Sequence, residues 1–148
     1  DGDTLIDTLR WAALLHKVGF AVSHSQFHKH GAYLVSNSDL SGFSRQEQDL
    51  VALLVRSHRR KISLAAFAER QPEEQVPLLR LSLLLRISAL LHHGRYDTAL
   101  PDIRLRAGEN TLALAFPSGW LKDHPLTQAD FEQEQDFQRA VGYELTVK

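Results

Sequence analysis

Apolar side chains recur every three or four positions through most of the first hundred residues, which predicts a helical fold. Ser44 and Glu47 have the spacing of a capping box, so a helix is expected to begin at Ser44. Gly19 is a residue type that ends helices, and Val22–Gln26 is polar enough to be a connector. The pattern predicts helices at about residues 3–19, 27–35, 44–57 and 64–70.

The most apolar segment of the chain runs from Gln75 to His93. Leucines occupy nearly every side of this predicted helix, so we expect it to be covered on most sides, at the centre of a helical bundle. Arg80 and Arg86 interrupt the leucines, and contact with lipid or with a partner is the alternative interpretation. No uninterrupted apolar run reaches the roughly 18 residues of a membrane span, so none is expected.

After Pro101 the apolar period changes from helical to two. Alternation over 103–107 and 112–116, on either side of a Gly-Glu-Asn turn, predicts a hairpin. An amphipathic helix over 127–141, with Phe131, Phe137 and Val141 facing inward, and a closing strand over 143–147 complete the chain. The sequence therefore predicts a mainly α protein, in which a helical lobe (1–98) precedes a small α/β segment (101–148).

Charge is nearly balanced, with 17 Lys and Arg against 18 Asp and Glu. Anion binding must therefore come from a local patch, and we expect no nucleic-acid partner. The absence of cysteine excludes disulfides and thiolate metal sites, and together with the lack of a signal-peptide pattern it favours a cytoplasmic protein. The chain has no methionine and begins Asp-Gly-Asp, so we expect it to be a piece of a longer protein.

Five of the eight histidines lie between two apolar helical runs, at His16, His24, His28, His30 and His58. In the HD superfamily of metal phosphohydrolases, a histidine at the position of His16 is followed by a metal-binding aspartate. Here Lys17 follows, and a lysine with a pKa of about 10.4 is a poor metal ligand at neutral pH. Ala89 stands where the second aspartate of that superfamily would be. Both carboxylate ligands are absent, so the sequence predicts the remnant of a metal site and no bound metal.

Three alternative functions remain open, two of which use the histidines and one of which uses the apolar surfaces. A live HD-type metal-dependent phosphohydrolase would need His16 and His58 to hold a metal despite the missing carboxylates. A zinc site could use His24, His28 and His58, although no glutamate stands between the first two. A purely structural dimerisation module would use the leucine-rich helix and the edge of the hairpin.

The better functional candidate is the basic cluster that follows His58. Guanidinium groups match phosphate oxygens bidentately, and consecutive cations suit a repeating polyanion. A solvated loop between helices is the alternative interpretation. The residues proposed to bind polyphosphate are, first, Arg59, Arg60 and Lys61 and, second, His28, Lys29 and His30.

Three stretches resemble one known family. They are LLHKVG (14–19), SHSQFHKHGAYL (23–34) and NSDLSGFSRQEQ (37–48). These stretches, with the leucine-rich helix and the hairpin, resemble the C-terminal region of the exopolyphosphatase and guanosine pentaphosphate phosphohydrolase (Ppx/GppA) family. The resemblance covers essentially the whole chain.

The resemblance implies a degenerate HD-like helical bundle without a metal centre, followed by a small α/β segment. It places catalysis in two N-terminal domains of the actin/sugar-kinase type, where a carboxylate activates water and Mg²⁺ is expected. No catalytic residue of the family falls on this chain, and no cofactor is expected in it. The parent enzyme would release terminal phosphate from polyphosphate or guanosine pentaphosphate. The role implied for this chain is to help hold long polyphosphate chains and to contribute to a homodimer.

Overall fold

The computed structural model describes residues 2–93 and 99–148. The chain divides into two compact units, Asp1–Ala89 and Leu90–Lys148. Residues 94–98, where the predicted helical lobe ends, lie outside the described residues, and the division at 98–101 stays a prediction. The elements are α1 (Gly2–Leu15), α2 (Phe27–Asn37), α3 (Arg45–Ser57), α4 (Leu64–Ala68), α5 (Pro72–His92), β1 (Arg104–Ala107), β2 (Thr111–Ala115), α6 (Trp120–Asp123), α7 (Pro125–Arg139) and β3 (Glu144–Val147).

Helix α1 ends four residues before Gly19, so the prediction of a continuous helix over 3–19 is wrong. The helix ends at Leu15, and a separate 3₁₀ turn covers Val18–Ala21. The reason lies in packing: a Cβ on Gly19 would come within 1.8 Å of the carbonyl oxygen of Phe27. Because the chain turns away from the α1 axis after Leu15, the backbone of Gly19 lies directly against helix α2.

Helix α3 begins with the capping box that the sequence predicted. The Ser44 hydroxyl accepts a hydrogen bond from the Glu47 amide at 3.1 Å, and the Glu47 carboxylate accepts one from the Ser44 amide at 2.9 Å. Helices α1, α2, α3 and α5 share a buried apolar core in the first unit. Its members are Ala12, Val35, Val51, Ala52, Leu54, Val55 and Leu85.

Helix α5 begins at Pro72 rather than at the predicted Gln75. Proline suits the first turn of a helix, where no amide donor is needed, and Glu73 and Glu74 suit the positive end of the helix dipole. Many of its side chains are buried, as the leucine pattern predicted, although Arg80 is exposed.

Helix α5 is also the one helix in residues 2–93 and 99–148 that is long and apolar enough to cross a membrane. The sequence-based expectation of no span counts Arg80 and Arg86 as breaks in the apolar run. The mean hydropathy of the helix is high enough for a span even with both arginines included. In its most apolar window, 44% of the residues are buried inside the structure. Since core helices have the same composition, this finding is only weak support for a span.

The second unit contains a three-stranded sheet of order β1-β2-β3. Strands β1 and β2 form the predicted antiparallel hairpin, and β3 pairs with β2 in parallel after the crossover through α6 and α7. Helix α7 covers 125–139 rather than 127–141, and α6 was not predicted. Phe131 is buried as predicted, while Phe137 and Val141 are only half-buried. The mainly α fold with a small α/β segment is thus confirmed, and its HD-like character stays a prediction.

Candidate anion-binding site

Three histidines lie close together at the C-terminal end of α3, one from α2 and two from the residues that directly follow α1 and α3. The ring of His58, directly after α3, lies edge-on to that of His16, which follows α1, with centroids 5.1 Å apart. The ring of His28, in α2, lies 6.4 Å from that of His58. Phe27 packs between the helices, 5.3 Å from His58. The sequence pattern had indicated a shared location for histidines of successive helices, and these three share one.

His28 and His58 are held neutral by their surroundings. His58 Nδ1 donates to the Val55 carbonyl oxygen at 2.5 Å, so its lone pair is on Nε2. Burial lowers the pKa of His58 to about 3. The hydrogen bond to Val55 acts in the opposite direction, and electrostatic interactions with His16, His28 and Arg59 lower the pKa further. Neither His58 Nε2 nor His28 Nδ1 has a hydrogen-bond partner among the described residues.

Four cations lie near enough to His28 to lower the pKa of its imidazole. Burial, followed by the positive charges of Arg59, Lys29, Arg60 and Arg56, lowers the pKa of His28 to about 4. Lys29 comes from α2, Arg56 from the last turn of α3, and the other two from the segment that follows it. Three of the proposed residues, Arg59, Arg60 and Lys29, are therefore brought together. We call Lys29, Arg56, Arg59 and Arg60 the cation cluster.

The remaining candidate residues lie near the cluster in sequence. Lys61 follows Arg60 and is exposed, and His30 is half-buried on α2. Within residues 2–93 and 99–148, no carboxylate forms an ion pair with Lys61 or with any member of the cation cluster. Arg56 was missed by sequence reasoning, although its position one helical turn before Arg59 and Arg60 was a usable signal.

Arg86 holds the segment that carries the two cluster arginines. Its Nη1 donates to the Ser57 carbonyl oxygen at 2.8 Å, and its Nη2 donates to the Arg60 carbonyl oxygen at 2.6 Å. The Arg86 side chain is buried, and the Arg60 backbone has a φ of 65°, in the left-handed region that non-glycine residues seldom adopt. Sequence reasoning treated Arg86 as an interruption of the leucine pattern and missed this role.

An aromatic stack continues from Arg59. The guanidinium carbon of Arg59 lies 4.5 Å from the ring centroid of Phe27. Phe20 stacks on Phe27 at 4.1 Å, and His24 packs on Phe20 at 4.6 Å. Phe20 comes from the 3₁₀ turn that Gly19 presses against α2. We call Arg59, Phe27, Phe20 and His24 the aromatic stack, which the sequence analysis did not identify.

Comparison with known proteins identifies the family. The profile described as "Ppx/GppA phosphatase, domain III" matches residues 1–135. The chain belongs to the Ppx/GppA phosphatase family, as its domain III.

Two relatives carry the name "Guanosine-5'-triphosphate,3'-diphosphate pyrophosphatase". The protein of Pseudoalteromonas atlantica is 34% identical over 146 residues, which is 99% of this chain and 28% of the relative. The protein of Pseudoalteromonas translucida is 32% identical over 135 residues, which is 91% of this chain and 27% of the relative. The chain thus spans little more than a quarter of the length of these relatives.

This Ppx/GppA domain III offers little to a divalent metal. Lys17 is exposed next to His16, and Ala89 has no ligand atom in its side chain. In the part of the chain that the structure describes, no group of three or more His, Cys, Asp or Glu side chains has the spacing of a metal site. The cation cluster adds positive charge beside His28, which favours anions instead.

Proposed function

We propose that this chain is the non-catalytic C-terminal domain of a Ppx/GppA-type phosphohydrolase and that it binds the phosphate chain of the substrate. The observation that carries the proposal is that the positive charges of Lys29, Arg56, Arg59 and Arg60 all act on His28. Among the described residues, no carboxylate forms an ion pair with these four cations, so they are available to bind an external anion. Lys61 extends the row of positive charge along the chain.

The site is partly organised before any ligand binds. Arg59 rests on the Phe27 ring, and Arg86 fixes the backbone that carries Arg60. Side chains and backbone that are already ordered lose less conformational entropy on binding, so their hydrogen bonds contribute more to affinity. Guanidinium groups also form paired hydrogen bonds with phosphate oxygens, which lysine cannot do. Guanidinium groups pair with carboxylates as well, so the preference for phosphate depends on the number of cations near His28, which suits an anion with several negative charges.

Two phosphate-rich ligands fit this proposal. Inorganic polyphosphate is the repeating anion that a row of cations suits, and guanosine pentaphosphate corresponds to the name of the two relatives. Release of the terminal phosphate would take place in N-terminal catalytic domains of the longer protein, a phosphoric anhydride hydrolase, where Mg²⁺ is expected. The present chain would keep the remaining phosphates attached between rounds of cleavage.

Calorimetric titration of the chain with long-chain polyphosphate, carried out at two salt concentrations, tests the proposal. We expect binding that weakens steeply as salt rises, because each cation–phosphate contact displaces counterions. Arg59→Ala with Arg60→Ala should reduce affinity at least tenfold. Arg10→Ala with Arg139→Ala is the matched control, since it removes two exposed arginines and leaves the cluster intact. Equal loss in both double variants, or no binding at low salt, would refute a local site.

A contribution to homodimer formation is the second part of the proposal. All four residues of β1 are exposed, and β1 forms an edge of the sheet as described. An exposed edge strand can pair with the same strand of a second copy. Sedimentation should therefore detect a concentration-dependent dimer that Leu105→Lys weakens. Leu126→Lys, at another exposed leucine, is the control, and equal effects of the two would argue against pairing through β1.

The metal-dependent alternative makes a separate prediction. A live HD-type enzyme would retain a stoichiometric metal that depends on His16 and His58. Elemental analysis of the purified chain, before and after His58→Gln, distinguishes this alternative from the proposal. A metal lost in the variant would favour the HD-type reaction over anion binding.

A further inference from the structure

The aromatic stack presents more ring surface than a site for bare phosphate uses. Phosphate groups bind through oxygen atoms and gain nothing from a π face. Yet two rings lie beyond the Arg59–Phe27 pair: Phe20 stacks on Phe27 at 4.1 Å, and His24 packs on Phe20 at 4.6 Å with its ring tilted by 43°. Phe20 is 37% exposed, and His24 is exposed as well. The stack therefore begins at the cation cluster and ends in an open ring.

Resting on the function proposed above, we propose that the Phe20–His24 end of the aromatic stack is a subsite for the base of a purine nucleotide whose phosphates occupy the cation cluster. Bases stack on aromatic rings irrespective of their hydrogen-bonding edge, and imidazole is among the rings that accept them. Purines present the largest ring surface of the natural bases. The cations specify the phosphates, and the rings distinguish a nucleotide from inorganic polyphosphate.

Backbone contacts hold the rings of the subsite in position before any ligand binds. Gly19 lies so close to the α2 backbone that a Cβ would come within 2.6 Å of the Gly31 nitrogen, which fixes Phe20 beside Phe27. The Ser25 amide donates to the Ser23 hydroxyl at 3.1 Å, so the connector around His24 is turned back on itself. Gln26 then enters α2 in the left-handed conformation, with a φ of 53°.

The geometry also suits the length of a nucleotide. Three steps of 4.1 to 4.6 Å separate the Arg59 guanidinium from the His24 ring. An extended nucleoside triphosphate has its base and its outer phosphates separated by a comparable distance. A base on His24 can thus belong to the same molecule as phosphates at Arg59 and Arg60.

The test compares two ligands with equal numbers of phosphates, GTP and inorganic tripolyphosphate, by titration calorimetry of the chain. His24→Ala should lower the affinity for GTP about tenfold and leave that for tripolyphosphate unchanged. His24→Phe, which keeps a ring, should restore GTP binding. His124→Ala is the control: it removes another histidine that stacks on an aromatic ring, Trp120 at 3.8 Å, in the other unit.

The outcomes separate the subsite from the cation cluster. If His24→Ala weakens both ligands equally, or neither, the base subsite is refuted while phosphate binding stands. If Arg59→Ala with Arg60→Ala leaves both affinities unchanged, the cation cluster fails and the subsite fails with it. Failure of the unmodified chain to bind either ligand at low salt refutes both. Phe20→Leu, with its fold verified by circular dichroism, should repeat the GTP-selective loss.

Discussion

Arg86 Nη2 lies 2.6 Å from the carbonyl oxygen of Arg60, and this hydrogen bond joins the leucine-rich helix α5 to the segment that carries the cation cluster. Arg60 is 26 residues earlier in the chain and has a positive φ. A buried arginine in an apolar helix thus positions the backbone of Arg60, whose exposed side chain would contact the ligand. If the cation cluster binds anions as proposed, the stability of the first unit and that binding are linked through one side chain.

Arg86→Met tests this link. The variant keeps much of the side-chain volume and loses the hydrogen bonds to the Ser57 and Arg60 carbonyl oxygens, so the free energy of unfolding should fall by about 3 kcal/mol. Polyphosphate affinity should fall too, because Arg60 is no longer held. Urea denaturation and titration calorimetry measure the two effects. Arg80→Met, at an exposed position of the same helix, should change both only slightly.

Gly19→Ala tests the close approach of the 3₁₀ turn to α2. A Cβ here would meet the Phe27 carbonyl oxygen at 1.8 Å, so backbone must move, and we expect a loss of about 2 kcal/mol or more in the free energy of unfolding. The Phe20–Phe27 stack should loosen with it. Gly2→Ala, where a Cβ meets nothing within 4 Å, is the control. Unchanged thermal unfolding of Gly19→Ala would contradict the packing described above.

Stability should depend on pH through the two buried histidines. Their pKa values in the fold are about 4 for His28 and about 3 for His58, against about 6.5 in an unfolded chain. Between these limits the unfolded chain binds more protons, so the free energy of unfolding should fall as pH drops from about 6.5 toward 3. Each pKa unit corresponds to about 1.4 kcal/mol, and most of the fall should come from His58, because solvent screening reduces the contribution of His28.

The variant His58→Gln removes one of these protonation sites. We expect a shallower decline of the urea midpoint between pH 7 and pH 4.5 than in the unmodified chain. His93→Gln, at an exposed histidine, should leave the decline unchanged. A slope that His58→Gln does not alter would mean that His58 is protonated equally in the folded and unfolded chains.

Local signals in the sequence predicted most of the elements and part of the candidate site. The Ser44–Glu47 capping box, the hairpin and the run Arg59–Lys61 each depend on residues that are close in sequence, and the structure contains each of them. Arg86 bonds to residues 26 and 29 positions away, and no local pattern encodes that pairing. Gly19 was interpreted as a helix stop because glycine has that role often; its contact with α2 depends on tertiary packing.

The aromatic stack shows the same limit. Phe20, His24 and Phe27 are four and three residues apart, as on one face of a helix, but they lie in a 3₁₀ turn, a connector and the start of α2, so no continuous helix aligns them. Their alignment with Arg59 follows from the packing of three elements, and a phenylalanine at such a position resembles any core residue in sequence. The family resemblance, by contrast, rested on short contiguous stretches, and the comparison with known proteins confirmed it over residues 1–135.

The central claim is that the cation cluster holds a phosphate chain for catalytic domains elsewhere in the longer protein. The most direct measurement is the hydrolysis of long and short polyphosphates by the full-length enzyme carrying Arg59→Ala and Arg60→Ala. We predict that kcat/KM falls several-fold more for long chains than for short ones, because only long chains reach the cluster while their ends are being cleaved. An equal loss for both chain lengths, or no loss for either, would contradict the claim.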